Sequence, residues 1–337
     1  MTRGGKKWAL LAAVLGIAGA VVVWRMGRGD TVVPEYVFRY AENQVSDYPT
    51  ALGAARFAEL VEERTEGRIQ ILVRSEGELG AEKDVLKQMQ YGGIDFARVS
   101  LAQLGEIVPE LNVLQMPYLY RDAEHMWSVL ESEIGDYYLG VSEKSDLIGL
   151  SWYDAGARSF YTSTKKITCL EDLQGMRIRV QESALMSDMV EAMGARAVQT
   201  AYSDVYSVLE LGTVDGAENN WPSYKSMNHD EVARYYTVDE HQRIPELQII
   251  SRHTWEKLSE EDQALIRECA KESALFEREL WFQAEETCRQ EALAAGTEII
   301  ELSGEEKEKF RAAAEQIYEK YCGDCMDIIE EIQKKGE

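Results

Sequence analysis

The 337-residue sequence predicts an α/β protein with two mostly parallel sheets. First, short apolar or alternating segments typical of strands are interleaved with segments of helical periodicity from residue 35 onward. Second, residues 235–251 lack a helical period and form an extended segment that could cross between two domains. Third, a helical pattern continues from Ser259 to about Ala295, which would exceed about 50 Å if unbroken. A helix of that length usually spans two domains or kinks.

The individual elements follow from residue spacing and from turn signals. Pro49 opens a helix with an apolar i, i+3, i+4 pattern, and Gly67 ends it. Ser259 with Asp262, and Ser303 with Glu306, resemble capping boxes that start the two last helices. Strands are predicted at residues 36–41, 68–75, 94–100, 147–154, 176–181 and 195–199, and from residue 158 onward. Further helices are predicted around residues 85–89, 122–131, 183–193 and 203–211.

The composition is that of a globular, acidic protein. Hydrophobic residues make up 45% and charged residues 28% of the chain, which excludes a disordered or fibrous class. The net charge of −24 excludes a nucleic-acid partner, which would require a basic surface. An acidic protein that binds an anion must place its cations locally. Arginines inside otherwise apolar strands are therefore informative.

Residues 1–33 are predicted to be a signal sequence or a membrane anchor. Basic residues flank an uncharged apolar run at residues 8–24, as in both kinds of segment. Ala18-Gly19-Ala20 resembles a cleavage site, but the apolar run continues beyond it to Trp24. An uncleaved anchor is favoured, with the globular part outside the cytoplasmic membrane. Membrane contact is expected through this segment.

The five cysteines are an odd number and predict no disulfide framework. Cys269 and Cys288 fall on the same long helix, too far apart to pair. Cys322 and Cys325 form a CxxC pair, which could be a redox dithiol or half of a zinc site. The favoured interpretation is that Cys322 and Cys325 are two small residues on an amphipathic helix. The histidines have no ligand spacing, so no metal and no cofactor are predicted.

Ligands of open α/β sheets bind beyond the carboxyl ends of strands, so polar residues there are candidates. Asn43 and Gln44 follow the first strand, and Arg98, Arg158 and Arg179 lie in three later strands. A guanidinium among apolar neighbours is costly unless it meets an anion, and its fork matches a carboxylate. The alternative for each arginine is an internal salt bridge to one of the many acidic residues.

The segment VDGAENNWPSY, residues 214–224, concentrates polar groups after a turn signal. Glu218, Asn219 and Trp221 offer a carboxylate, an amide and a flat apolar face within four residues. That combination suits a polar ring-shaped or short-chain organic molecule. The alternative is an ordinary polar loop with a half-buried Trp.

Enzyme chemistry has little support. The sequence has no GxSxG, no HExxH, no phosphate-binding glycine loop and no dinucleotide fingerprint. Its carboxylate pairs show no spacing that identifies a glycosidase acid and base.

Several segments together match the motifs of one family. They include AENQVSDYPT (41–50), FAELVEERTEGRIQILV (57–73), YGGIDFARVS (91–100), LQMPYLYRDAEHMW (114–127), WYDAGARSFYTS (152–163), EDLQGMRIRV (171–180) and VYSVLELGTVDGAENNWPSY (205–224). On these segments the chain resembles the extracytoplasmic solute receptor of tripartite ATP-independent periplasmic (TRAP) transporters, in the dicarboxylate-binding (DctP) subunit family. The resemblance extends from about residue 38 to residue 290.

The resemblance implies a periplasmic-binding-protein-like fold of two lobes with a cleft, hinge strands and a long helix spanning both lobes. Lobe I is predicted to comprise residues 34–155 and 244–281, and lobe II residues 156–243 and 282–330. The receptor would close around its ligand without catalysis and then dock on TRAP membrane subunits that use an ion gradient.

The resemblance also assigns roles to residues. Arg179 corresponds to the arginine that binds the ligand carboxylate, Arg158 to a second ligand contact, and Asn219 to a supporting amide. Weaker assignments from the first lobe are Asn43, Gln44 and Arg98. Trp221 is expected to lie over the ligand, and Glu218 is a further predicted ligand contact. The expected ligand is a small organic acid, with a hexuronate favoured over a C4-dicarboxylate. The competing hypothesis is an anchored extracellular enzyme that acts on sugar acids.

Overall fold

The computed structural model describes residues 33–336. The predicted signal sequence or anchor, with its apolar run at residues 8–24, lies outside the described residues. Within residues 33–336, no helix combines the length and the apolar character that crossing a bilayer requires.

Eleven strands and thirteen α-helices are formed by the described residues, with short 3-10 turns between them. The strands are β1 (Tyr36–Ala41), β2 (Ile69–Arg74), β3 (Phe96–Ser100), β4 (Leu147–Tyr153), β5 (Ala157–Thr162), β6 (Arg177–Val180), β7 (Arg196–Gln199), β8 (Gly216–Asn219), β9 (Tyr235–Arg243), β10 (Glu246–Ser251) and β11 (Glu298–Glu301). The helices are α1 (Pro49–Arg64), α2 (Glu82–Gln90), α3 (Leu101–Leu104), α4 (Ala123–Leu130), α5 (Glu133–Val141), α6 (Ala184–Ala192), α7 (Val205–Glu210), α8 (Trp221–Ser226), α9 (His229–Val232), α10 (Arg252–Trp255), α11 (Glu260–Ala295), α12 (Gly304–Cys322) and α13 (Met326–Lys334).

The strands form two sheets, each the centre of one lobe. The first sheet has the order β2-β1-β3-β10-β4 and the second β11-β9-β5-β8-β6-β7. Within the first sheet, β1 pairs parallel with both β2 and β3, because α1 and α2 return the chain to the same edge. Within the second sheet, β6 pairs parallel with β7 and β8. The prediction of two α/β lobes is confirmed.

Two strand pairs cross between the lobes. The chain passes from β4 to β5 through residues 154–156, and from β9 to β10 through Ile244 and Pro245. The crossing strands β5 and β10 pair antiparallel with their neighbours. Both sheets are therefore mixed, whereas the strand-helix alternation predicts mostly parallel ones. The extended segment predicted at residues 235–251 is this second crossing.

The long helix α11 has the predicted bounds and contacts both lobes. The Ser259 side chain caps it by accepting a hydrogen bond from the Asp262 amide, and Gly296 ends it at φ 100°. It packs on α1 of the first lobe and on α8 of the second. A single helix therefore packs against both lobes.

The largest hydrophobic core is continuous between the lobes. It joins Val99 and Leu247 of the first sheet to Phe160 and Ile178 of the second. Residues of α12 and α13 belong to the same core. Helix α5 was not predicted; Ser132 caps it by accepting a hydrogen bond from the Ile134 amide.

Candidate functional site

A cavity of about 140 Å³ lies between the two lobes. Its walls come from the carboxyl ends of β1, β6 and β8, from the β4–β5 crossing, and from Trp281 of α11. This is where ligands of open α/β sheets bind. Six of the eight predicted site residues line it: Asn43, Gln44, Arg98, Arg158, Arg179 and Asn219.

Arg179 is buried in the cavity wall with a free hydrogen-bonding edge. It is 1% exposed, and its Nε and Nη2 donate to the carbonyl oxygen of Thr200 at 3.0 and 2.6 Å. Its Nη1 has no partner among the described residues. Burial lowers the pKa of Arg179, because no carboxylate of residues 33–336 forms an ion pair with it. A buried cation with a free donor edge provides a site for an anion.

The neighbouring Arg177 has a different environment, although it shares a face of β6 with Arg179. Its Nη2 lies 2.7 Å from Oδ1 of Asp215, and its side chain is 43% exposed. The alternative of an internal salt bridge therefore holds for Arg177 and not for Arg179. The alternation Arg-Ile-Arg-Val places Ile178 and Val180 in the core on the opposite face.

Arg158 is held by the strand next to it in the second sheet. Its Nε donates to Oε2 of Glu218 at 2.6 Å, and its Nη1 donates to Oδ1 of Asn219 at 2.8 Å. Glu218 is fully buried and does not line the cavity. Burial opposes ionisation of Glu218, but Arg158 and His241 outweigh it and lower the pKa. Glu218 therefore holds Arg158 in place and does not contact the cavity.

Arg98 is surrounded by carboxylates. It forms ion pairs with Glu42 and Glu246, and it donates to Oδ1 of Asn43. Burial would lower its pKa, but these two carboxylates raise the pKa well above the ordinary value. The Asn43 amide in turn donates to Oε2 of Glu82 at 3.0 Å. The alternative of an internal salt bridge therefore holds for Arg98. Glu42 and Glu246 neutralise its charge without a ligand.

Glu82 is the acidic group of the first-lobe wall. It accepts a hydrogen bond from the Ser100 amide as well as from Asn43. Loss of solvation raises the pKa of Glu82 to about 8, although Arg98 acts in the opposite direction. Glu82 lines the cavity and is therefore largely a neutral acid there at pH 7.

Three further cavity-lining side chains have a polar atom without a hydrogen-bond partner within residues 33–336. They are Oε1 of Gln44, the hydroxyl of Tyr202 and Nε1 of Trp281. Buried polar atoms are normally hydrogen-bonded, so unpartnered ones that face a cavity indicate where ligand groups bind. Together with Nη1 of Arg179, they supply donors and an acceptor on several sides of one small molecule.

Trp221 does not lie over the cavity, and the prediction of a lid at this position is wrong. Its ring stacks on Tyr236 with centroids 3.6 Å apart and belongs to the second-lobe core. The aromatic wall is formed instead by Tyr48 and Trp281, whose rings meet edge-to-face at 5.7 Å.

Contacts across the cleft join the lobes in this conformation. The Tyr48 hydroxyl, on the first lobe, lies 2.8 Å from Oγ of Ser223 and donates to Oδ1 of Asn220 at 3.3 Å. Nζ of Lys83 lies 3.8 Å from Oε1 of Glu182 on the opposite wall. The cavity is therefore enclosed by direct hydrogen bonds and an ion pair between the lobes.

Sequence reasoning missed Tyr48, Glu82, Tyr202 and Trp281. Glu82, Tyr202 and Trp281 lie on or beside helices rather than at strand ends. Trp281 continues the helical pattern of α11, so the sequence predicts a core residue there and carries no signal that places it at the cavity.

Comparison with known proteins identifies the family of this chain. Residues 40–324 match the model of bacterial extracellular solute-binding protein, family 7 (DctP). The chain belongs to this family. A solute-binding protein of Chromohalobacter salexigens is 37% identical over 274 residues, 81% of each chain.

Two solved structures of the same kind are similar in both fold and sequence. One is a TRAP periplasmic solute-binding protein of a Bradyrhizobium species in complex with galacturonate. It has a TM-score of 0.86 and 38% identity, and the match covers 88% of this chain and 99% of that one. The other, from Pseudomonas putida with bound glucuronate, has a TM-score of 0.87 and 36% identity over 89% and 98% of the two chains.

These findings confirm the predicted family, the two-lobed fold and the class of function. The chain is an extracytoplasmic solute receptor of the TRAP type and not an enzyme. The competing hypothesis of an anchored enzyme acting on sugar acids has no support from the family or from the cavity.

Proposed function

We propose that this receptor binds a hexuronate monoanion, such as glucuronate or galacturonate, with the carboxylate on Arg179. The observation that carries the proposal is the unpartnered Nη1 of Arg179 at the cavity wall. A ligand carboxylate there would satisfy that donor and neutralise the guanidinium, with Arg158 and Asn219 beside it.

The charges around the cavity favour one ligand carboxylate over two. Arg98 already pairs with Glu42 and Glu246, and Arg158 with Glu218. A second ligand carboxylate would therefore have no uncompensated cation to meet among the described residues. A C4-dicarboxylate fits this arrangement less well than an acid with a single charge.

The remaining groups suit a hydroxylated ring. Gln44, Tyr202, Trp281 and the neutral acid Glu82 offer separate donors and acceptors around the cavity. Tyr48 and Trp281 provide an apolar wall against which the C–H face of a sugar can pack. The galacturonate and glucuronate bound by the two similar structures support the same ligand class.

We infer that the ligand acts by stabilising the closed arrangement of the lobes. Arg179 and Asn219 belong to one lobe, and Asn43 and Gln44 to the other, so the full site exists only when the cleft is shut. The lobe boundaries at residues 155–156 and 243–244 stay a prediction. Docking of the closed receptor on TRAP membrane subunits, with residues 8–24 as a tether, is part of the same proposal.

Isothermal titration calorimetry tests the ligand class. Micromolar or tighter binding is expected for D-glucuronate or D-galacturonate, with much weaker binding of succinate and none of glucuronamide, which lacks the charge. The same mixtures should contain no reaction product. Equal affinity for succinate and the uronates would overturn the preference for a monoanion.

Substitution of Arg179 tests the site. Arg179→Ala removes a charge-assisted contact of the kind that costs about 3–5 kcal/mol when one partner of a buried pair is lost. Uronate affinity should fall by about 100-fold or more in calorimetry. Arg177→Ala is the matched control, because Arg177 lies on the same strand and does not line the cavity. A normal affinity in Arg179→Ala would refute the assignment.

A further inference from the structure

Cys322 and Cys325 lie at the joint between α12 and α13. One turn of 3-10 helix, Gly323–Cys325, separates the two helices, and both cysteines have a non-helical φ of −136°. Cys322 is the N-cap of this turn and Cys325 is its last residue, and the Cys325 side chain is within hydrogen-bonding reach of the Cys322 thiol. The break in the helix therefore places two thiols together, whereas the sequence pattern favours two ordinary residues on one amphipathic helix.

The two thiols differ in their surroundings. Cys322 is 1% exposed, and burial together with the adjacent Cys325 raises the pKa of Cys322 to about 12. Cys325 is only partly buried. Cys322 is therefore inaccessible to external reagents, and Cys325 is the thiol that they can reach.

A surface groove of about 350 Å³ leads to Cys325 and not to Cys322. Its walls are mainly apolar and include Val113, Ile134 and Ile328. Tyr137, 61% exposed, lies at its edge. A small disulfide, or a disulfide carried by another protein, has room to approach the Cys325 sulfur from this side.

We propose that Cys322 and Cys325 form a redox-active dithiol that closes to an intramolecular disulfide outside the cytoplasmic membrane. The oxidant is a disulfide-bearing molecule. Cys325 loses its proton and attacks one oxidant sulfur, which forms a mixed disulfide and releases one thiol. Cys322 then loses its proton and attacks the Cys325 sulfur, which releases the second thiol. Two cysteine thiols are oxidised, one disulfide is reduced, and the chain loses two hydrogens.

The disulfide would fix a joint between segments that pack on different parts of the molecule. On one side, α12 packs on α6 of the second lobe. On the other side, α13 is tied to the α4 region by Nε2 of His125 at 2.8 Å from the Ile332 carbonyl oxygen. Arg121 also donates to the carbonyl oxygens of Gln333 and Lys335. Oxidation would therefore restrain α13 where it crosses from one region to the other.

Mass spectrometry of the whole receptor tests the proposal. The reduced protein is incubated with oxidised glutathione, its remaining thiols are alkylated, and intact mass and peptides are compared. The expected product has lost two hydrogens and carries a Cys322–Cys325 disulfide, with a higher melting temperature than the reduced form. Both cysteines still alkylatable, a lasting glutathione adduct at Cys325, or a bond to another cysteine would each overturn the proposal.

Two variants separate the roles of the thiols. Cys322→Ser should retain the glutathione adduct on Cys325, because the second thiol is missing. Cys169→Ser is the matched control and should oxidise like the wild type, since Cys169 lies before the 3-10 turn at Leu170–Leu173, away from the joint. Circular dichroism verifies that both variants are folded. Loss of the adduct in Cys322→Ser would show that Cys325 is not the attacking thiol.

Discussion

At the scale of single residues, neighbouring charges decide which arginine of the site is available to a ligand. Arg98, Arg158 and Arg179 are all buried, yet two of them are neutralised by glutamates far away in the chain. The sequence predicted all three positions, because each arginine interrupts an apolar strand. It could not predict which one is free, since ion pairs such as Arg98 with Glu246 depend on the fold.

The same limit explains why Trp221 was predicted to contact the ligand, whereas Trp281 is the tryptophan that lines the cavity. Trp221 lies in a polar segment and so resembles a ligand contact, but the register of β8 and α8 turns it toward Tyr236. Trp281 lies in a helical stripe and so resembles a core residue. Only the packing of α11 across both lobes brings it to the cavity.

The raised pKa of Glu82 predicts that ligand affinity depends on pH. Its pKa of about 8 in the folded receptor means that the neutral acid predominates below that pH. Above it, the carboxylate forms and repels the anionic ligand. Uronate affinity should therefore fall as the pH rises through about 8, by up to about tenfold per pH unit. Calorimetry between pH 6.5 and 9.5 measures this change.

The variant Glu82→Gln should remove that fall, because the amide keeps a neutral donor at every pH. The stability of the folded receptor should change in the same direction as the affinity. The pKa of Glu82 is about 8 in the folded state and 4.5 in the unfolded state, so the free energy of unfolding decreases as the pH rises from 4.5 to 8. Glu78→Gln, at an exposed position, should behave like the wild type. A pH profile of Glu82→Gln that still falls would assign the effect to another group.

At the scale of elements, periodicity and caps predicted most bounds to within one or two residues. Ser259 and Pro49 mark helix starts by local chemistry that needs no tertiary context, whereas α1 ends at Arg64, three residues before the predicted stop at Gly67. The sheet pairing was less predictable, because the antiparallel pairing of β5 and β10 follows from where the chain crosses between lobes. Local spacing carries no information on that crossing.

The close approach of α1 and α11 predicts a strong effect of Gly53→Ala. A Cβ at Gly53 would lie 2.8 Å from Cβ of Glu277 and 3.0 Å from Cε2 of Tyr153. The helices would have to separate, and the free energy of unfolding should fall by about 1–3 kcal/mol. Urea denaturation followed by circular dichroism measures it.

Gly140→Ala is the matched helical control, because a Cβ there has no neighbour within 4 Å. This substitution should leave stability unchanged or raise it by up to about 1 kcal/mol. Equal stability of the two variants would contradict the tight packing of α1 on α11.

At the scale of the whole molecule, closure depends on contacts that connect the lobes directly. Tyr48→Phe removes one hydroxyl and with it the contacts to Ser223 and Asn220. A hydrogen bond of this kind contributes about 0.5–1.5 kcal/mol, so uronate affinity should fall about two- to tenfold. Small-angle X-ray scattering should show that Tyr48→Phe closes at a higher ligand concentration than the wild type. The radii of gyration of the open and the closed states should be unchanged.

Tyr91→Phe serves as the control, since Tyr91 is 86% exposed and does not line the cavity. If Tyr48→Phe closes at the wild-type ligand concentration, the hydroxyl contributes nothing to closure. A changed radius of gyration at saturation would instead mean that the closed state itself differs.

The interleaved order of the strands limits how this receptor can diversify. In the first sheet β10 lies between β3 and β4, although it follows the whole run from β5 to β9 along the chain. A genetic exchange with one junction at Ala155 would insert one parent's β10 between strands inherited from the other. New ligand preferences should therefore evolve by point substitutions at strand ends, and only seldom by shuffling of entire lobes.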